Sequence, residues 1–173
     1  QIVVLPPLGG SGELFEPFRE CLAARHRVIT CEPPGSGDSA PPHGTPSTRR
    51  LARDVVAALD AAGIGRSHLF GISLGGMVAQ WIAVMDPERI DRLVLASTAA
   101  RGLPATLHLT RKKLALARCL LASDAGSRLA EAIVSDHVRD DDAAIEPIDA
   151  AVHAHPHGPL ELAWLAEADP RHD

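Results

Sequence analysis

Residues 68–77 read His68-Leu69-Phe70-Gly71-Ile72-Ser73-Leu74-Gly75-Gly76-Met77, an apolar run that ends in the pattern Gly-x-Ser-x-Gly. A helix-compatible run from Met77 to Met85 follows at once. A sharp turn from a strand into a helix holds a serine hydroxyl out at the end of a sheet, and a glycine on each side keeps that turn free of side-chain collisions. The pattern therefore predicts that Ser73 lies at such a turn, between Gly71 and Gly75.

Ser73 would then stand at the N-terminus of the helix that follows it. The free backbone N–H groups and the helix dipole at such an end favour negative charge. Acyl transfer develops an oxyanion, which needs donors of this kind. The sequence therefore indicates a serine nucleophile, and the alternative is a serine in an ordinary glycine-rich turn.

The composition favours a protein that acts on small molecules. The chain has 173 residues, a formal net charge of -5 and a pI near 6.0, so no basic surface for nucleic acid is expected. Three widely spaced cysteines indicate neither a disulfide framework nor a zinc site, and a reducing, cytoplasmic setting is expected. No apolar run is long enough to span a membrane. Residues 1–5 lack the charged start of a signal peptide and read as a strand cut off at its beginning.

Strands and amphipathic helices alternate along the first part of the chain. Continuous aliphatic runs predict strands at residues 2–5 and 27–31, before the Gly-x-Ser-x-Gly pattern, and at residues 90–97, where the strand is expected to be buried. Apolar spacing predicts helices over residues 13–25 and after the N-cap Ser47, where one stripe is formed by Leu51, Val55 and Leu59. Because no Asn-Gly hairpin signal occurs, we expect an α/β fold, a mostly parallel sheet with helices on both faces.

Residues 101–173 differ in character from the residues before them. Four segments read as helix, at 103–122, 127–138, 143–154 and 160–168, and no strand pattern occurs among them. The sequence therefore predicts two parts, an α/β core over residues 1–100 and a helical lid or cap over residues 101–173.

The order of these elements, with Gly-x-Ser-x-Gly between a strand and a helix, resembles the α/β-hydrolase superfamily. In these enzymes the loop after the first of these strands usually begins His-Gly, and that place is taken here by Pro6-Pro7-Leu8-Gly9-Gly10. The next loop often reads Asp-x-x-Gly-x-Gly-x-Ser, which is matched, with glutamate for aspartate, by Glu32-Pro33-Pro34-Gly35-Ser36-Gly37-Asp38-Ser39. The resemblance covers roughly the first hundred residues and implies that the helical remainder is the family's lid.

The resemblance implies a serine hydrolase that cleaves a small-molecule ester, lactone or thioester through an acyl-enzyme. Ser73 is then the nucleophile, and the N–H groups of Leu74 and Leu8 form the oxyanion hole. Pro7 stands where the family has a glycine before the donor, and its fixed φ bears on the direction of the Leu8 N–H. The implied partner is a small-molecule acyl substrate, and no cofactor is expected. The substrate's identity and the oligomeric state stay open.

The catalytic acid and histidine of this superfamily follow the serine along the chain, in that order, after strands that come behind the lid. No strand pattern occurs after Ser97, and the chain closes with Arg171-His172-Asp173, which reads as a solvated end. We therefore expect the acid and the histidine beyond residue 173. Residues 1–173 alone should show little or no turnover, because a serine without its base is a poor nucleophile.

A metal site is not expected. Three histidines lie close together in sequence, His153, His155 and His157, but Pro156 and Gly158 predict a loop there. No nearby cysteine or carboxylate completes a ligand set.

Two other functions stay open from the sequence. A dinucleotide-dependent oxidoreductase would use Gly10, Gly12 and Glu32, because a Gly-x-Gly pattern follows a strand and an acid ends the next strand about twenty residues later. However, Phe15 replaces the third glycine of that motif. The other possibility is a non-catalytic binding protein with an α/β-hydrolase-like fold.

Overall fold

The structure is a computed structural model, and it describes residues 1–7, 10–34, 38–40 and 47–98. The predicted lid over residues 101–173, with its histidines, lies outside the described residues, and so do Leu8 and the segment 35–37. Within the described ranges, no helix combines the length and the apolar character that crossing a bilayer requires.

The described strands form one parallel four-stranded sheet. In chain order they are β1 (Ile2–Leu5), β2 (Val28–Thr30), β3 (Ser67–Ile72) and β4 (Ile90–Ala96), and their order in the sheet is β2-β1-β3-β4. The register places Leu5 beside Gly71 and Gly71 beside Leu95. The carboxyl ends of β1, β3 and β4 therefore lie together at one end of the sheet. The predicted parallel α/β architecture is confirmed.

The helices begin and end where local signals require. Helix α1 (Glu16–Ala23) follows one turn of 3₁₀ helix at Gly12–Phe15, so the α-helix starts later than the sequence predicted, with Pro17 in its first turn. Helix α2 (Thr48–Ala61) is capped by the Ser47 hydroxyl, which accepts the Arg50 N–H at 3.1 Å. Helix α3 (Leu74–Met85) is followed by a 3₁₀ turn at Pro87–Arg89.

Helices pack on both faces of the sheet. The predicted stripe of α2 is buried against α3 and one face of β1 and β3, in a core that consists of Val3, Leu5, Leu51, Ala52, Val55, Leu59, Ile64, Leu69, Leu74, Val78, Ala79 and Ile82. The indole N–H of Trp81 on α3 donates to the Thr48 hydroxyl of α2 at 3.0 Å. Phe18 of α1 stacks on Phe70 of β3 with ring centroids 4.9 Å apart, and residues 69 and 70 point to opposite faces of the strand.

Arg89 forms hydrogen bonds to three segments near the ends of the helices. Its guanidinium donates to Asp86 at 2.9 Å, to the Ile64 carbonyl oxygen at 3.0 Å and to Asp60 at 2.6 Å. The hydrogen bond to Asp86 is the main reason why the pKa of Arg89 is raised. One side chain thus joins the end of α2, the approach to β3 and the end of α3.

The prediction that β4 is buried is wrong. In the described part of the chain β4 pairs only with β3, and its central residues Leu93, Val94 and Leu95 are 38%, 50% and 42% exposed. A continuous apolar run predicts a strand that is covered on both faces, but the covering depends on neighbours that the run itself does not specify.

Candidate active site

Ser73 lies at a sharp turn between β3, which ends at Ile72, and α3, which begins at Leu74. Its backbone has φ 51° and ψ -114°, outside the regions that L-residues prefer. A conformation of this kind costs about 1–3 kcal/mol and persists only where the surroundings impose it. The turn that the Gly-x-Ser-x-Gly pattern predicts is therefore present.

Three hydrogen bonds to its backbone hold the strained residue in place. The Ser73 N–H donates to the Ala96 carbonyl oxygen at 3.0 Å. The Ser73 carbonyl oxygen accepts the Met77 N–H at 3.2 Å and the Thr98 hydroxyl at 2.7 Å. The turn is thus fixed to the end of β4 as well as to its own helix.

The glycines around Ser73 are required by close backbone contacts. A Cβ at Gly71 would lie 2.6 Å from the Gly75 carbonyl oxygen, and a Cβ at Gly75 would lie 2.1 Å from the Leu5 carbonyl oxygen. The clash at Gly71 is across the bend, as the sequence predicts, whereas Gly75 is required because the end of β1 passes against the helix. A Cβ at Gly76 would lie 2.5 Å from the Thr98 side chain, a contact that sequence reasoning missed.

Thr98 is a second residue of the site that sequence reasoning missed. No sequence pattern assigns a role to Thr98, yet its hydroxyl donates to the Ser73 carbonyl oxygen. Ser97 next to it has a positive φ of 46°. The available signal was positional, because residues that follow adjacent parallel strands meet at the same edge of the sheet.

The N-terminus of α3 faces this turn. Ser73 is the N-cap residue of α3, and its side chain makes no capping hydrogen bond. The Ser73 hydroxyl is therefore not engaged in capping the helix. Leu74 is the first residue of α3, where the backbone N–H has no acceptor within the helix. The turn thus places a serine hydroxyl next to the positive end of a helix.

Pro6, which follows β1, lies at the same end of the sheet, with its carbonyl oxygen against Gly75. The Gly10 N–H donates to the Pro7 carbonyl oxygen at 2.9 Å, and Pro6 and Ser11 are buried. Leu8, the second predicted oxyanion donor, lies outside the described residues.

Glu32, two residues after the end of β2, accepts hydrogen bonds from two backbone N–H groups. One carboxylate oxygen accepts the Gly12 N–H at 2.5 Å, and the other accepts the Asp38 N–H at 3.0 Å. A dinucleotide-binding site would aim this acid at a ribose hydroxyl. Because both oxygens are engaged with the chain's own backbone, the geometry does not favour the oxidoreductase alternative. Among the described residues, no group of three or more His, Cys, Asp or Glu side chains could hold a metal ion.

The comparison with known families agrees with this geometry. Residues 2–141 match the model of the alpha/beta hydrolase fold family, so the match extends over most of the chain. The chain therefore belongs to the α/β-hydrolase family, as the resemblance implied.

Several similar proteins are named as hydrolases or lactonases. The chain is 36% identical over 101 residues to "Putative carbamate hydrolase RutD" of Azorhizobium caulinodans, an alignment that covers 58% of this chain and 38% of the relative. It is 38% identical over 77 residues to 3-oxoadipate enol-lactonase 2 of Acinetobacter baylyi, which covers 44% of this chain and 29% of the relative. A crystal structure of a hydrolase from Pseudomonas aeruginosa superposes with a TM-score of 0.77 and 28% identity, covering 98% of this chain and 64% of that one. The alignments thus span well under half the length of these two curated relatives.

Proposed function

We propose that this chain carries the nucleophile of a serine hydrolase that cleaves a small-molecule ester, lactone or related carbonyl compound through an acyl-enzyme on Ser73. The observation that carries the proposal is the strained backbone of Ser73 at the N-terminus of α3. Two of the similar proteins are named as a carbamate hydrolase and an enol-lactonase, and both names describe cleavage at a carbonyl carbon that bears a leaving heteroatom.

In the proposed reaction the Ser73 oxygen attacks the carbonyl carbon of the substrate and a base removes the hydroxyl proton. The carbonyl oxygen becomes an oxyanion, which accepts hydrogen bonds from the N–H groups of Leu74 and Leu8. Each such donor is typically worth about 3 kcal/mol of transition-state stabilisation. The leaving group departs with a proton, and water then releases the acid from Ser73.

The proposal needs a base from elsewhere in the protein. Of the described histidines, His68 is the second residue of β3 and His26 stacks edge-on to it at 6.2 Å, so the pair lies towards the end of the sheet away from Ser73. We therefore assign no general base among the described residues.

A fluorophosphonate probe tests the proposal on the full-length protein that contains this chain. The probe phosphonylates a serine whose hydroxyl is activated, and peptide mass mapping should locate the adduct on Ser73. Ser73→Ala should abolish labelling and hydrolysis. Ser97→Ala is the matched control, because Ser97 is also a serine with positive φ but does not begin a helix. An unlabelled Ser73 in folded protein would refute the nucleophile and favour a non-catalytic binding protein.

A further inference from the structure

We infer that Glu32 is a positioning residue for the proposed hydrolysis, because its carboxylate binds the backbone N–H of Gly12, which follows the second proposed oxyanion donor, Leu8, closely in sequence. The inference rests on the proposed function. It assigns no contact with the substrate to Glu32, which acts through the backbone that it binds.

Glu32 joins two loops that are far apart in sequence. Its side chain accepts the N–H of Gly12, the first residue of the 3₁₀ helix that follows the loop after β1, and the N–H of Asp38, in the loop after β2. Its own carbonyl oxygen accepts the Ser39 hydroxyl at 3.0 Å. Hydrogen bonds to an ionised carboxylate are roughly twice as strong as those between neutral groups. The two bonds therefore hold the Glu32 side chain and the two backbone segments together.

The loop after β1 is held at both of its ends. At the first end, the carbonyl groups of Leu5 and Pro6 lie directly against Gly75, the glycine after Ser73. A Cβ added at Gly75 would lie 2.1 Å from the Leu5 oxygen and 2.5 Å from the Pro6 oxygen. At the second end, Gly12 is bound by Glu32. Leu8 stands in sequence between these two anchors, so Glu32 is the anchor that the elbow does not itself provide.

The surroundings of Glu32 favour a carboxylate that accepts backbone N–H groups over one that binds a substrate. A Cβ at Gly12 would lie 3.4 Å from the Glu32 carboxylate, an ordinary van der Waals distance, so this contact does not by itself require glycine at position 12. The open cleft beside it, of about 470 Å³, is lined by Gly12, Glu13, Glu16, Arg19, Thr30, Glu32 and Asp38. Four of these seven residues are acidic, so an acidic product or an anionic substrate is not favoured there.

Loss of this anchor should affect the transition state more than substrate binding. Oxyanion donors act on charge that develops only during the reaction, so a misplaced donor lowers kcat and leaves KM nearly unchanged. A displacement of about 1 Å is enough to cost roughly 100-fold in rate.

Glu32→Gln is the sharpest variant because it keeps the size of the side chain. The amide presents one oxygen acceptor and one NH₂ donor, so one of the two backbone N–H groups faces a donor. In the full-length protein we expect kcat to fall about 10- to 100-fold, less than the roughly 100- to 1,000-fold typical when an oxyanion donor is removed outright, while KM changes less than about threefold. The matched control is Glu88→Gln, the same chemical change at an exposed position in the 3₁₀ turn before β4.

Affinity for a trifluoromethyl ketone gives a second readout that a merely structural role would not move. The Ser73 oxygen adds to the carbonyl carbon of the ketone while the base takes the hydroxyl proton, and a hemiketal oxyanion forms, whereas a product carboxylate binds without forming one. Glu32→Gln should weaken the ketone about as much as it lowers kcat/KM and leave product binding unchanged. Glu32→Asp, which keeps both acceptor oxygens on a shorter side chain, should lie between Glu32→Gln and the wild type.

The outcomes separate this inference from the proposed function. If Ser73 is labelled by the fluorophosphonate and Glu32→Gln keeps kcat and ketone affinity within twofold of the wild type, the positioning role is wrong and the hydrolase proposal stands. Equal losses of ketone and product binding, or activity of Glu32→Asp below that of Glu32→Gln, would also overturn it. If Ser73 is not labelled in the wild type, the proposed function itself fails.

Discussion

Gly75→Ala tests whether close packing of the β1 end against α3 fixes the elbow. An added Cβ would lie 2.1 Å from the Leu5 carbonyl oxygen, 2.5 Å from the Leu5 carbonyl carbon and 2.5 Å from the Pro6 carbonyl oxygen. Ordinary contact begins near 3.4 Å, so the backbone of β1 or of α3 must move by more than 1 Å. All three atoms belong to the backbone, and no side chain can rotate away.

Two effects oppose each other in this variant. Alanine favours a helix over glycine by about 1 kcal/mol, which alone would stabilise the first turn of α3. Overpacking a tight site typically costs about 1–3 kcal/mol. Because the clash here involves buried strand backbone, we expect a cost of about 2–3 kcal/mol and therefore a net loss of about 1–2 kcal/mol. A shift of this size beside Ser73 should also lower kcat/KM by roughly 100-fold.

Urea unfolding and steady-state kinetics of the full-length protein measure both effects. Gly65→Ala is the matched control, because an added Cβ there meets nothing within 4 Å and its φ is not positive. This control should be neutral or slightly stabilising and fully active. Wild-type stability and activity in Gly75→Ala would refute the reasoning that backbone contact, and not chain flexibility, requires glycine at this position.

Contacts and burial of the described residues lead to four more predictions. Thr98→Val removes the hydroxyl that donates to the Ser73 carbonyl oxygen, so the free energy of unfolding should fall by about 1 kcal/mol and kcat should fall several-fold. Arg89→Ala removes three hydrogen bonds, two of them to partly exposed aspartates, so denaturant unfolding should show a loss of about 1–2 kcal/mol with kcat unchanged. Burial raises the pKa of Cys31 to about 11, so the thiol is protonated at pH 8 and iodoacetamide should modify exposed Cys21 much faster, as peptide mapping would show. For the same reason the stability that protonated Cys31 contributes is fully present below pH 9.0 and is lost as the pH rises towards 11, and Cys31→Ala should remove that part of the pH dependence.

The local pattern was sufficient to predict most of the described fold. The stripe of Leu51, Val55 and Leu59 is buried as its spacing predicts, and Ser47 caps the helix that it was expected to begin. These features depend on residues within one or two turns of each other, which is the range over which sequence periodicity carries information.

Contacts between distant segments could not be predicted in this way. Glu32 lies 20 residues from the Gly12 N–H that it binds, and Thr98 lies 25 residues from Ser73. Both contacts arise because parallel strands bring their carboxyl ends to one edge, and the side chain that reaches across depends on the register. The prediction that β4 is buried failed for the same reason, because an apolar run does not identify the neighbour that would cover the strand.

The outer edge of β4, which pairs with no strand among the described residues, has a practical consequence for anyone who expresses this part of the protein. Unpaired backbone groups along an apolar strand are a template for pairing with the same strand of a second molecule, which leads to aggregation. A fragment that stops soon after Thr98 should therefore precipitate as its concentration is raised. Lysine in place of Val94, at the middle of the strand, should keep such a fragment dispersed.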